Sequence, residues 1–210
     1  MYQDTATGLP VFSVYKMSNE AISALIIDMN ITTVLVDMQD VGVRLYTFIW
    51  TMYDVLNASF SANAGRTSDV VKMVICDRPN PLGGEVVDGP LLNISCCASG
   101  YGKAPITHVH GMTMGELSML FQDQLATQYQ RQGAGVEVTV YKMDGWQRSM
   151  SWADTQLPWV PPSPNVRAKH ARYMHPSLCV RCDTGADGTD RRGLSRDLLP
   201  RGNYSGMVNT

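Results

Sequence analysis

Two short apolar runs in this chain end in acids and are followed by arginines. Thr33-Val34-Leu35-Val36 runs into Asp37, and the stretch behind it carries Gln39, Asp40, Arg44 and Tyr46. Lys72-Met73-Val74-Ile75-Cys76 runs into Asp77-Arg78-Pro79-Asn80-Pro81, with Gly83-Gly84 beyond. The two prolines remove backbone donors and fix φ, which makes the second loop stiff. A stiff loop carrying an acid, a guanidinium and an amide suits recognition of a polar substrate. Open α/β sheets bind ligands beyond the carboxyl ends of their strands, so two parallel strands would bring both loops to one rim. Plainer roles stand beside this one. Asp77 can cap its own backbone in a Pro-rich turn. Asp40 can cap the next helix with Arg44 in its first turn, though that leaves Gln39, Arg44 and Tyr46 less well explained.

The elements that must position these groups alternate along the chain. Residues 11–15, 33–37, 71–76 and 136–142 read as strands, the last from the alternation of Val136, Val138 and Val140. Ser18 is an N-cap for a helix carrying Ile22, Leu25, Ile26 and Met29 on one stripe. A second helix spans about 45–63 and ends near Gly65. Thr113 and Glu116 form a capping-box pair. That box opens a third helix with Leu117, Leu120, Phe121 and Leu125 on one face, closing at Gly133. The expected fold is α/β: a three-layer domain with one mainly parallel sheet and helices on both faces. Residues 82–107 are irregular.

Composition narrows the function. At 210 residues, 44% hydrophobic and 17% charged, the chain is globular. A net charge of −2 without a basic cluster argues against a nucleic-acid partner. No apolar run approaches the roughly 20 residues of a membrane span. The chain has 5 cysteines: Cys76 reads as a core residue, Cys96 and Cys97 as an adjacent loop pair. Cys179 and Cys182, near His170 and His175, are a lone CxxC, so no metal is expected. No GxGxxG fingerprint and no GxSxG elbow is present, so no cofactor and no serine nucleophile are expected. Trp146, Trp152 and Trp159 precede Val160-Pro161-Pro162-Ser163-Pro164-Asn165. They read as a sugar platform or as indoles pinning a long loop, the second reading preferred for at least two of them. Residues 1–180 form the expected domain. Residues 181–210, polar and rich in Gly, Arg and Asp, read as a poorly ordered tail.

In chain order, Thr7-Gly8-Leu9-Pro10-Val11, DMQDVGVRLYTF at 37–48, DRPNPLGG at 77–84, VDGPLL at 87–92, HGMTMGEL at 110–117 and LPWVPPSPN at 157–165 resemble the exo-β-N-acetylmuramidase (NamZ-like) family. The resemblance implies a glycoside hydrolase that releases N-acetylmuramic acid from non-reducing ends of peptidoglycan fragments, built on a Rossmann-like catalytic domain, with a secreted or periplasmic location. It implies Asp88 as a catalytic carboxylate; a turn aspartate before Gly89-Pro90 is the plainer reading. It implies Asp37, Asp40, Arg44, Tyr46, Asp77, Arg78, Asn80, His110 and Asn165 as substrate contacts. Arg78 or Arg44 would pair with the lactyl carboxylate of muramic acid, and Tyr46 and Asn165 would meet hydroxyl or N-acetyl groups. His110 would donate to a substrate oxygen or serve as a satisfied structural histidine.

Three departures stand out. The family carries a Gly-Pro-Glu-His-Gly block upstream of the TGLPV segment, whose glutamate is a candidate catalytic residue, and this chain starts after it. Val109 stands where the family has Arg before the HGMT histidine, and Arg181-Cys182-Asp183-Thr184 replaces a Phe-Glu-Gly-Thr block. The expectation is an N-terminally truncated catalytic domain, impaired as a glycosidase; a non-catalytic sugar-binding remnant is the alternative.

Overall fold

The structure, a computed structural model, describes residues 1–68, 70–163 and 166. Asn165, His170, His175, Cys179, Cys182, the boundary near 180 and the 181–210 segment lie outside the described residues.

The chain opens with a small antiparallel pair, β1 (Tyr2–Gln3) and β2 (Pro10–Val11). Helix α1 (Asn19–Asp28) follows, with the Ser18 hydroxyl accepting from the Ala21 amide. Then come β3 (Thr33–Val36), α2 (Phe48–Asn63), β4 (Lys72–Cys76), the single turn α3 (Ile94–Cys97), α4 (Met114–Tyr129) and β5 (Val138–Tyr141). The capping box of α4 forms as expected: Thr113 accepts from the Glu116 amide and Glu116 accepts from the Thr113 amide. A 3-10 turn at Gln130–Gln132 carries α4 to its stop at Gly133, where φ is 62°.

Strands β3, β4 and β5 form a parallel three-stranded sheet in that order, with Val34 opposite Met73 and Met73 opposite Val138. The α/β class and the parallel sheet therefore stand as expected. Residues 11–15 do not join it. Only Val11 is extended in a strand, and it pairs with Tyr2 in the separate antiparallel sheet. An apolar run supplies side chains but not a register, and Pro10 gives the local chain to the β1 turn instead.

The helices also differ from the expectation. Trp50, Met52, Leu56 and Phe60 of α2 and Leu117, Phe121 and Leu125 of α4 pack with Val36, Met73 and Ile75 on one sheet face. Helix α1 packs on α2 through Ile22, Ile26, Ala58 and Ala62. The opposite face, with Leu35 (64% exposed), Val74, Cys76, Thr139 and Tyr141, meets no helix among the described residues. Handedness explains this. The crossovers β3-α2-β4 and β4-α4-β5 advance in the same direction, and right-handed crossovers that do not reverse direction put their helices on one side. Cys76 consequently sits half-buried on the open face and not in the core.

Candidate functional site

Because β3 and β4 are parallel neighbours, their C-terminal ends coincide and the two acidic loops meet. Arg78 bridges them: its Nε donates to Asp37 Oδ1 at 2.7 Å, and Nη2 lies 2.6 Å from the same oxygen. Gln39 ties the loops again, its Nε2 donating to the carbonyls of Pro79 at 3.0 Å and Asp40 at 2.8 Å. A third segment joins through Val109, which forms bridges with Val43 on one side and Asp88 on the other. Val41, Val43 and Val109 are buried together with Trp159 against them, so these loops have their own small core.

Several of the expected substrate contacts are engaged within the protein. Asp77 Oδ1 accepts from the Gly115 amide at 2.7 Å, and Oδ2 accepts from the Thr113 hydroxyl at 2.9 Å. Its carboxylate is thus spent on the start of α4, where the helix dipole favours it. Asp77→Ala is expected to lower stability by about 1–3 kcal/mol, the cost of stranding these donors, as read by chemical denaturation. Asn80 is buried, donating to the Met112 carbonyl at 3.0 Å and accepting from the Leu82 amide at 2.9 Å. Arg44 is buried as well. Its Nη1 donates to the carbonyls of Ile106 at 2.7 Å and Pro90 at 2.9 Å, clamping the irregular 82–107 segment to the rim.

Gly42 makes the close approach of the loops possible. Its φ is +84°, and a Cβ there would lie 2.2 Å from Asn80 Oδ1. Gly42→Ala combines a left-handed backbone, costing about 1–2 kcal/mol, with a clash against a buried amide. A fall in the thermal midpoint larger than that of Asp77→Ala is expected.

At the centre lies a cavity of about 10 Å³ whose lining includes Gln39, Asp40, Arg78, His110 and Thr113. Asp40 is 5% exposed. Burial pushes its carboxyl up to about 7, against the pull of the Gly42 and Val41 amides. Oδ2 accepts from the Gly42 amide at 2.9 Å, while buried Oδ1 has no protein partner. At neutral pH a large share of Asp40 is the acid, and with Oδ2 engaged as an acceptor the proton belongs on Oδ1. His110 is buried and pushed down to about 4 by that burial, so it is neutral. Its Nδ1 accepts from the Met112 amide at 3.1 Å, which leaves the hydrogen on Nε2, itself buried and without a protein partner.

Beside this centre opens a cleft of about 480 Å³, lined by Tyr15, Met38, Tyr46, Phe48, Thr51, Pro162 and Ser163 among others. The Tyr46 and Phe48 rings lie 4.9 Å apart. The phenol of Tyr46 is raised by burial first and next by the charge of Asp40, while Ser163 hydrogen-bonds it. Tyr46 thus stands between the cleft and the buried acid.

Asp88 stands apart from the cavity. It is exposed, and its Oδ1 accepts from the Gly89 amide at 2.7 Å, the turn role allowed for it. It acts on His108, whose imidazole is lowered by burial first and then by Arg44, with Asp88 acting the other way. Sequence reasoning did not single out His108, Met38 or Phe48 as site residues. Met38 and Phe48 lie inside the DMQDVGVRLYTF block, but their place in the cleft, like that of His108, depends on loops meeting from distant parts of the chain. Of the tryptophans, Trp152 and Trp159 pack edge to face at 5.0 Å, and Trp159 Nε1 donates to the Val166 carbonyl, so both pin the loop. Among the described residues no group of three or more metal-ligating side chains assembles, and no helix is long and apolar enough to cross a membrane.

Comparison with known proteins agrees with these blocks. The model of the family "exo-beta-N-acetylmuramidase NamZ, N-terminal" matches residues 1–170. The peptidoglycan beta-N-acetylmuramidase NamZ of Bacillus subtilis (strain 168) is 36% identical over 176 residues, 84% of this chain and 38% of that protein. Two crystal structures of DUF1343 family proteins from Bacteroides fragilis NCTC 9343 superpose with TM-scores of 0.68 and 0.65, at 27% and 32% identity. They cover 86% and 85% of this chain, which spans 43% and 44% of theirs. The chain thus spans less than half the length of each relative, and over residues 1–170 it belongs to the NamZ N-terminal family of exo-β-N-acetylmuramidases.

Proposed function

We propose that this chain supplies catalytic-domain residues of a glycosidase that releases N-acetylmuramic acid from the non-reducing ends of peptidoglycan fragments. The observation that carries the reading is Asp40, a carboxyl 5% exposed whose Oδ1 has no protein partner and which burial raises to about 7, beside an aromatic cleft in a chain of this family. Most glycosidases use one protonated and one ionised carboxyl across the scissile bond. Asp40 is the proton source. Exposed Asp88 and the rim residue Asp37 are the second-carboxylate candidates within the described residues, Asp88 being the one the family resemblance favours. Tyr15, Tyr46 and Phe48 offer faces on which a sugar's C–H groups pack. Arg78 is half-exposed on the cavity rim, and the lactyl carboxylate would compete there with Asp37 for a bidentate guanidinium. Arg44, held by two carbonyls, shapes the rim instead.

The test is release of N-acetylmuramic acid from a chromogenic muramide, with the matching glucosaminide as control and calorimetric binding alongside. Selective release from the muramide supports the hydrolase. Binding without turnover supports a sugar-binding remnant, and neither binding nor turnover overturns both readings.

A further inference from the structure

Three buried polar atoms without protein partners belong to side chains that line the same 10 Å³ cavity: Asp40 Oδ1, Gln39 Oε1 and His110 Nε2. Leaving any of them unsatisfied costs about 1–3 kcal/mol, and these three are carried by side chains around one void. Their chemistry is complementary. His110 Nε2 donates, because Nδ1 is occupied as an acceptor. Gln39 Oε1 accepts, because its amide nitrogen is committed to the Pro79 and Asp40 carbonyls. Asp40 Oδ1 presents a hydroxyl as the acid and an acceptor as the carboxylate. A cavity of this size admits one water-sized group and nothing larger.

We propose that Gln39, Asp40 and His110 form a niche for a single hydroxyl group, which accepts from His110 Nε2, donates to Gln39 Oε1 and sits in hydrogen-bond contact with Asp40 Oδ1. In the free protein that group is a water. With sugar bound the same water stays and bridges Asp40 Oδ1 to the sugar.

The niche deepens the proposed function and rests on it for its role, though not for its existence. Asp40 Oδ1 is closed to solvent, and acid catalysis works through one intervening water. In that step the water takes the Oδ1 proton while passing one of its own to the departing glycosidic oxygen. Asp40 is left as a carboxylate and the bridging water is unchanged. The proton lost by the water that attacks the sugar then restores the acid. On this account His110 is a positioning residue, holding the bridging oxygen in line.

The test is a crystal structure of this chain at a resolution that places waters, without sugar and then with N-acetylmuramic acid. One water-sized peak within about 2.7–3.2 Å of all three atoms is expected without sugar. In solution, the Nε2–H of His110 should show a cross-peak to water. In the sugar complex the position should still hold an isolated water; an oxygen continuous with the ring would overturn the relay. His110→Phe should lose the peak and His110→Gln, which keeps a donor, should retain it. A dry cavity, a direct His110–Asp40 contact, a hydrogen on Nδ1, or a peak unchanged in His110→Phe would overturn the niche. A filled niche in a protein that releases no N-acetylmuramic acid would overturn the proposed activity and leave the niche standing. A dry niche in an active protein would do the reverse.

Discussion

Asp40→Asn is expected to cut the release of N-acetylmuramic acid by about 10²–10⁴-fold, the usual contribution of a positioned general acid. Asparagine matches the shape of aspartic acid and can still accept from the Gly42 amide, so the loop geometry should survive. The loss should appear mainly in kcat, because the amide removes a transferable proton and not a binding surface. Steady-state kinetics on a chromogenic muramide check it. A loss confined to KM would move Asp40 from chemistry to binding. Asp88→Asn should be run beside it, since Asp88 is the carboxylate favoured by family resemblance and lies outside the cavity.

The second large effect is on stability against pH. Asp40 has a folded pKa of about 7 against a reference value of 3.8. Between those values the unfolded chain has released the proton and the folded chain has not, so stability falls as pH rises, at about 1.4 kcal/mol per unit. His110 works the other way. Its folded value is about 4 against 6.5, so across that window only the unfolded chain holds the proton and stability rises with pH. The two slopes oppose each other from about pH 4 to 6.5. Relative to the parent chain, Asp40→Asn should therefore gain about 3 kcal/mol of stability-versus-pH rise across this window, and His110→Gln a fall of the same order. The facing groups Tyr46, which feels Asp40, and His108, which acts on His110, are common to all three proteins, with Arg44 and Arg78 beside them, so the difference reports each substituted group together with its coupling to these neighbours. Urea denaturation at several pH values reads it. Parallel profiles for all three would show that neither group changes its proton affinity on folding.

The parallel sheet was legible in the sequence because β-branched runs at 33–37 and 71–76 stop abruptly at acids, and Val136, Val138 and Val140 alternate. The start of α4 was legible because its cap is local: Thr113 and Glu116 lie within one turn. Long-range partners were not legible. Asp77 looks like a rim acid until α4 folds back on it, placing Gly115, 38 residues later, against its carboxylate. Residues 11–15 have strand composition, yet register belongs to the partner, and the partner of Val11 is Tyr2. The single-sided helix layer follows from crossover direction, which periodicity does not encode. For the site, Asp37, Asp40, Tyr46, Arg78 and His110 were named from their blocks, and all but Asp37 line one of the two cavities. What separated Asp40 from the other acids, Asp37, Asp77 and Asp88, was burial, produced by Gly42 meeting Asn80 and by Val109 bridging to Val43. None of those contacts has a local signature.

The central claim is that Asp40 supplies the proton for release of N-acetylmuramic acid, and the pH dependence of kcat/KM for that release tests it most directly. The acid works only while protonated, so the rate should fall as pH rises through about 7, and Asp40→Asn should abolish that limb. Tyr46, His108, His110 and Arg78 face the same centre, and the variant separates Asp40 from all of them. A rate that is flat through pH 7, or a limb that persists unchanged in Asp40→Asn, would contradict the account.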